Sequence, residues 1–335
     1  MTETKTNPFK WFVDVFCKKW IWQNFCVNLV YKKFDKWKGW LYLSPALVLL
    51  TVFTFWPIIN TLRMAFLEDY DVLAEINHAT FNLGFGNFAS VFEDPDLPGS
   101  FLSCLKNTVI LCFLTVPLST LLALVIAVCL NAIKPLQRFL QTIFFLPYVT
   151  NTLAVGLVFM LLFQKTDHTA GLVNMVLSLF GMDAIDFITG PYWAKMFVLC
   201  FYTIWVVLPF KILILTSAIA SVNPTYYDAA KVDGTSGFRM FTKITVPLIS
   251  PMLFYLIITG FIGAFKAYSD AVALFGSDLN VAEMNTIVGY IYDMLYGEGG
   301  GYPSYASAAA IILFVIVLTI TCVNLTVSKK HVHYS

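Results

Sequence analysis

Charged side chains are scarce in this 335-residue chain: Asp, Glu, Lys and Arg together hold 12% of positions, about half the roughly 25% usual in soluble domains. That scarcity weighs against a water-soluble globule, because 31 Phe, 16 Tyr and 8 Trp carry more apolar area than a water-facing surface hides, and lipid is the solvent they fit. Arginine is rarer still. Only Arg63, Arg138 and Arg239 are present, so no bidentate phosphate clamp is visible in the middle of an apolar run. The cysteines at 17, 26, 104, 112, 129, 200 and 322 are irregularly spaced with no Cys-x-x-Cys pair, which reads as small buried hydrophobes rather than a disulfide or metal framework. Also missing are His-Glu-x-x-His, Gly-x-Ser-x-Gly and the Gly-x-x-x-x-Gly-Lys-Ser/Thr phosphate loop. The chain is therefore expected to be no enzyme and to hold no cofactor or metal of its own. His78 and His168 fall in loops, and His331 and His333 in a basic tail. The first 40 residues lack a short apolar core followed by a cleavage site, so insertion is expected to begin at an internal helix.

Long apolar runs are abundant. A hydrocarbon core about 30 Å thick needs about 20 residues at 1.5 Å rise, and six runs are that long: 41–66, 108–130, 139–163, 196–220, 252–275 and 306–327. Backbone groups in lipid must bond within their own segment, which predicts an all-α polytopic membrane protein with six transmembrane helices over 40–328. Lys and Arg in the connections set its orientation. Eight Lys lie in 1–39, and Lys134, Arg138, Lys231, Arg239, Lys243, Lys329 and Lys330 fall in 131–138, 221–251 and the tail. The alternate loops 67–104, 164–192 and 276–304 hold Lys165 alone against 14 acidic residues. Both termini, 329–335 included, are thus expected on the cytoplasmic side. Segment 8–38 mixes Trp and Phe with lysines, and Phe9, Phe12, Val13, Phe16 and Trp20 recur at helical spacing. An interfacial amphipathic helix fits this better than a seventh span, which would break the charge pattern.

The connection 222–251 is punctuated in a way a plain linker is not. Asn223 before Pro224 predicts a helix start, with Asn as cap, Pro at the first position and Asp228 near the favourable end of the dipole. Asp233-Gly234 predicts its stop, since Gly takes the positive φ of a tight reversal. A second helix over about 236–245, carrying Phe238 and Phe241, is expected to end where Pro247 and Pro251 lead into the fifth span.

This stretch resembles the signature loop of the membrane subunits of ABC importers: Asp228-Ala229-Ala230, Asp233-Gly234-Thr235, Phe241, Ile244, Pro247 and Pro251 stand at the family spacing. Asp228 replaces the family's Glu and Thr235 its Ala. Gly86-Asn87-Phe88, Asn107-Thr108, Leu130-Asn131, Phe145-Leu146-Pro147-Tyr148 and Gly171-Leu172-Val173-Asn174 look like the maltose-type carbohydrate permeases, although Phe275-Gly276-Ser277-Asp278 stands where a Thr-x-Gly-Gly-Pro run is common. The resemblance implies a type I ABC importer permease fold in a bacterial plasma membrane. It also implies a second homologous permease as heterodimer partner, a cytoplasmic ATPase dimer using ATP and Mg, and an extracytoplasmic solute-binding protein; lipid is the remaining partner and nucleic acid is not expected. By the same resemblance Asp228, Ala229, Ala230, Asp233, Gly234, Phe238, Phe241 and Pro247 couple the spans to the ATPase.

Polar groups inside spans cost about 2.5–3.5 kcal/mol for a central charge and so tend to face a cavity or a partner. Lys211, and Lys266 with Asp270 at i and i+4 on one helix face, are expected to line the substrate pathway. Tyr148, Asn151, Tyr255 and Tyr268 offer aromatic faces and hydrogen bonds to a polyol, with membrane anchoring as their plainer role. A neutral sugar is the expected solute, a polyol phosphate the alternative. A secondary transporter would require inverted repeats, and no second copy of the loop is present.

Overall fold

The computed structural model describes residues 38–68, 70, 75–76, 80–93, 100–133, 137–166, 171–297 and 301–331. The expected interfacial helix in 8–38 therefore lies outside the described residues, apart from Lys38. Contacts divide the chain after Arg63 into two units. The first holds α1 (Lys38–Leu50), a π-turn over Thr51–Phe55 and the bulk of α2 (Trp56–Ala65). Pro57 follows that π-turn, and the residue before it, Trp56, donates its N–H to the Thr51 carbonyl. The wider turn takes up the residue that a proline in the first turn of the next segment cannot bond normally.

The second unit comprises α3 (Gly86–Glu93), α4 (Phe101–Ala132), α5 (Gln137–Val149), α6 (Thr152–Phe163), α7 (Leu172–Leu179), α8 (Tyr192–Ala220), α9 (Pro224–Val232), α10 (Gly237–Met240), a π-turn over Phe241–Thr245, α11 (Val246–Phe265), α12 (Ser269–Phe275), α13 (Ile287–Tyr296) and α14 (Pro303–His331). Among the described residues, five stretches are long and apolar enough to cross a membrane: Tyr42–Ala65, Phe101–Ala132, Tyr192–Ala220, Gly237–Phe265 and Pro303–Ser328. The bent pair Phe139–Val149 and Thr152–Phe163 makes a sixth if counted as one span. These helices are apolar nearly all round, so small residues mark the inward faces. Ser119, Ala123 and Ala127, four apart on α4, are all fully buried, and α4 packs most extensively on α8 through that seam.

Two spans differ from the sequence expectation. The run 139–163 is no single helix: α5 and α6 meet at 95°, because Asn151 caps α6, its Oδ1 accepting from the N–H groups of Leu153 and Ala154 at 2.9 and 3.3 Å. The fifth span is displaced toward the N-terminus. The second helix expected over 236–245 does not stop at Pro247 but runs on through the π-turn, where Val246 N–H reaches the Phe241 carbonyl, into one 29-residue helix, Gly237–Phe265. Pro247 follows the π-turn inside this continuous helix, and the wider turn takes up the bond its missing N–H cannot make. That helix ends at Lys266, and the rest of the expected span is the separate α12, packed on α6. A Cβ on Gly156 would stand 2.2 Å from Ala273 Cβ, so only glycine allows the two half-helices to approach this closely.

Candidate functional site

The loop after α8 forms as its local chemistry dictates. Asn223 Oδ1 accepts from Thr225 N–H at 3.0 Å, Pro224 opens α9, and the chain reverses at Gly234 with φ +67°. Thr235 N–H returns to the Ala230 carbonyl at 2.9 Å and Gly234 N–H to Lys231 at 3.0 Å, closing the helix end. Ala230 is buried, and Tyr227 Oη meets Thr245 Oγ1 at 3.0 Å, so α9 is tied to the start of the long helix. Asp228, Ala229, Asp233, Gly234 and Phe238 are exposed, Phe238 by 78%. Phe241 is half-buried. It and Asp228 border an open groove of about 1150 Å³ between this loop and the ends of α4, α5 and α8. Asp228 pairs with Lys231 at 3.1 Å, both side chains solvated.

Between α4, α5, α8, α11 and α12 lies a cavity of about 390 Å³, and five of the seven expected pathway residues line it: Tyr148, Lys211, Lys266, Tyr268 and Asp270. Tyr148 stacks on Phe210 with centroids 5.8 Å apart and planes 21° from parallel. Lys211, almost fully buried, spends its ammonium on the protein: Nζ donates to Ser119 Oγ at 2.7 Å, Thr120 Oγ1 at 2.9 Å and the Val116 carbonyl at 3.3 Å. It pins α8 to α4, and its three donors are used. Lys266 is exposed, and the break after Phe265 puts it on a different element from Asp270, so the expected i, i+4 pair on one helix face does not form. Asp270 instead faces Thr203, a buried hydroxyl that lines the cavity beside that carboxyl without a well-formed hydrogen bond.

Asn151 and Tyr255 are not among the cavity's lining residues. Asn151 is committed to its cap, and Tyr255 is half-exposed on α11. Thr203, Phe210, Thr259 and Ser269 line it without having been singled out from the sequence. Thr203, Val207 and Lys211, spaced by four, were a detectable stripe on α8.

The asparagines of the family-like motifs serve as clasps on backbone. Asn87 Nδ2 donates to the carbonyls of Ala65 and Leu67 at 3.0 and 2.8 Å. Asn107 Nδ2 donates to those of Glu283 and Asn285, and its Oδ1 accepts from Tyr192 Oη at 2.8 Å. Asn131 reaches the Thr216 carbonyl at 3.3 Å. Asn174 exchanges two bonds with Ile185. Next to the last clasp, burial alone would push the Asp186 carboxyl up, but the Thr189 hydroxyl and the N–H groups of Thr189, Ile188 and Gly190 outweigh it and hold the group below the ordinary Asp range.

The family model described as "Binding-protein-dependent transport system inner membrane component" matches residues 108–329. The chain is 30% identical over 285 residues to the probable ABC transporter permease protein MG188 of Mycoplasma genitalium, covering 84% of this chain and 82% of that protein. It is 27% identical over 299 residues to the lactose transport system permease protein LacF of Rhizobium radiobacter, covering 88% and 93%, and 27% identical over 292 residues to the trehalose/maltose transport system permease protein MalF of Thermococcus litoralis, covering 87% and 93%. A crystal structure of a bacterial ABC transporter involved in the import of the acidic polysaccharide alginate aligns with a TM-score of 0.74 and 25% identity over 90% of this chain and 99% of that one.

Proposed function

We propose that this chain, which belongs to the inner membrane components of binding-protein-dependent transport systems, is the membrane-spanning permease subunit of an ATP-driven sugar importer. One observation carries the reading: a single helix, Gly237–Phe265, joins the exposed loop to the cavity. Phe238 and Phe241 sit at its cytoplasmic start, and Leu256, Thr259, Gly260, Gly263 and Ala264 line the cavity near its other end. A push on the loop is a displacement of the cavity wall, because a packed helix moves as a body. In this reading the loop 222–251 seats on one subunit of a cytoplasmic ATPase dimer, ATP and Mg act there and not on this chain, and both termini are cytoplasmic. A second homologous permease supplies the other half of the pathway, and an extracytoplasmic binding protein delivers the solute.

The sugar assignment draws on the lactose and trehalose/maltose relatives and on a cavity that mixes aromatic faces at Tyr148, Phe210 and Tyr268 with hydroxyl and carboxyl groups at Thr203, Ser269 and Asp270. Although one relative is an sn-glycerol-3-phosphate permease protein, no arginine is among the lining residues, the Lys211 ammonium is already spent, and the exposed Lys266 offers a point charge without a planar fork. That favours a neutral solute over a phosphorylated one. The test is uptake of labelled saccharides into proteoliposomes holding this chain, its second permease and the ATPase, with binding protein added. Uptake that needs ATP and an intact loop is expected; uptake by this chain alone, without nucleotide, would overturn the proposal.

A further inference from the structure

One wall of the cavity continues outward as a row of tyrosines. Tyr268, a lining residue held at the break between α11 and α12, lies 5.3 Å centroid to centroid from Tyr292, with planes 31° apart. Tyr292 lies 5.2 Å from Tyr296. Positions 292 and 296 are one turn apart on α13 and share a face. The opposite face of that helix carries Ile287, Tyr290 and Met294, all fully buried in the core, so α13 is docked without help from Tyr292 or Tyr296, which are 47% and 73% exposed. The loop beside them is polar. Asn280 and Asn285 both donate to Asp293 Oδ2, at 2.9 and 2.8 Å.

We propose that Tyr268, Tyr292 and Tyr296 form an aromatic track that carries a saccharide from the outer face of α13 into the cavity. This rests on the sugar reading above. The electron-rich face of a tyrosine attracts the C–H face of a sugar ring while leaving the ring's hydroxyls free for water or the Asn280–Asp293 cluster, and rings in mutual contact pass a ligand on without a gap. Interfacial anchoring is the competing role for exposed tyrosines, but an anchor has no need of three touching rings that end in a cavity.

The test uses the assembled importer in proteoliposomes with its binding protein, and compares a labelled hexose with its linear oligomers, uptake being normalised to the amount of complex. Tyr292→Leu and Tyr296→Leu keep apolar bulk and remove the ring face; the phenylalanine variants keep the face and remove the hydroxyl. Leucine is expected to lower oligomer uptake about three- to tenfold at limiting concentration, with a smaller effect on the hexose, and phenylalanine to restore it. Since Tyr296 is the more exposed, its leucine variant stays informative even if Tyr292→Leu assembles poorly. Equal uptake by leucine variant and wild type, or equal loss for hexose and oligomers, would overturn the track while leaving the sugar reading in place. A wild-type importer that carries another solute and no saccharide would overturn both.

Discussion

Asn107 Nδ2 donates to the Glu283 carbonyl at 3.0 Å across 176 residues of chain, and Glu283 returns to the neighbouring helix through its carboxylate, 3.0 Å from the buried Lys195 ammonium. Glu283 alone among the described non-glycine residues has positive φ, at 59°. The two contacts therefore hold the loop between α12 and α13 in a conformation it would not adopt unaided. Asn107→Ala strands two carbonyls and the Tyr192 hydroxyl, at about 1–3 kcal/mol for a buried group left unpaired. A clear fall in the melting temperature of the detergent-held complex is expected, and a smaller one for Tyr192→Phe, which loses a single bond of about 0.5–1.5 kcal/mol.

Gly234→Val tests the reversal after α9. A Cβ there meets nothing within 4 Å, so the penalty comes from φ alone, on the order of 1–3 kcal/mol. Membrane abundance should stay near wild type while substrate-stimulated ATP hydrolysis and uptake collapse. Gly234→Asn, which tolerates this region far better, should retain much of both activities.

Asp228→Ala separates a local role from an intermolecular one. Its pair with Lys231 is solvated at both ends, and such pairs contribute about 0.2–1 kcal/mol at most. Loss of the carboxylate should leave the melting temperature of the isolated chain within a degree or two of wild type on that scale. A large loss of stimulated ATPase activity on an unchanged melting temperature would assign the group to the partner.

Lys211 and Lys266 line one cavity but should answer differently to methionine. Lys211→Met removes a buried charge and leaves no orphan, because Ser119 and Thr120 keep their bonds to the carbonyls of Thr115 and Val116. Stability should be unchanged or raised, with transport KM little altered. Lys266→Met removes a free donor from the cavity rim, and a two- to tenfold rise in KM is expected for a lost solute hydrogen bond of about 0.5–1.5 kcal/mol.

Asp186 gives a pH signature. Its folded carboxyl is held below the unfolded value, so the stability it contributes is present above the ordinary Asp range and is lost as pH falls through the folded value. Proteolysis between α7 and α8 should accelerate in acid in the wild type, and Asp186→Asn should remove the acid-dependent part of that change.

The loop 223–234 was legible because its signals are local: Asn-Pro and Asp-Gly act through their own backbone and need no neighbour. The breaks in the third and fifth spans were not. Asn151 stands before Thr152 and an apolar run, which is a cap signal, yet inside a longer hydrophobic stretch it read as a pathway residue. No proline or glycine follows Lys266 to mark the end of α11 before Gly276, and α12 is held by its packing on α6 across Gly156 and Ala273, a partnership that no window of sequence contains. Five of seven expected pathway residues share a cavity because a charge or hydroxyl in lipid has few other places to go.

The wide turn at Phe241–Thr245 also fixes a phase. Each residue of an α-helix advances about 100° around the axis, and a π-turn is an α-helix with one residue inserted. Everything from Val246 onward therefore faces a direction set by that one surplus residue. Deleting a single position between 241 and 245 would leave a smooth helix of nearly the same length, with Phe238 still at its start. The face bearing Thr259 and Gly263 would keep its direction, because the wide turn already absorbs the surplus residue; straightening Phe241–Thr245 into plain α-helix with no deletion would instead turn that face about 100° out of the cavity.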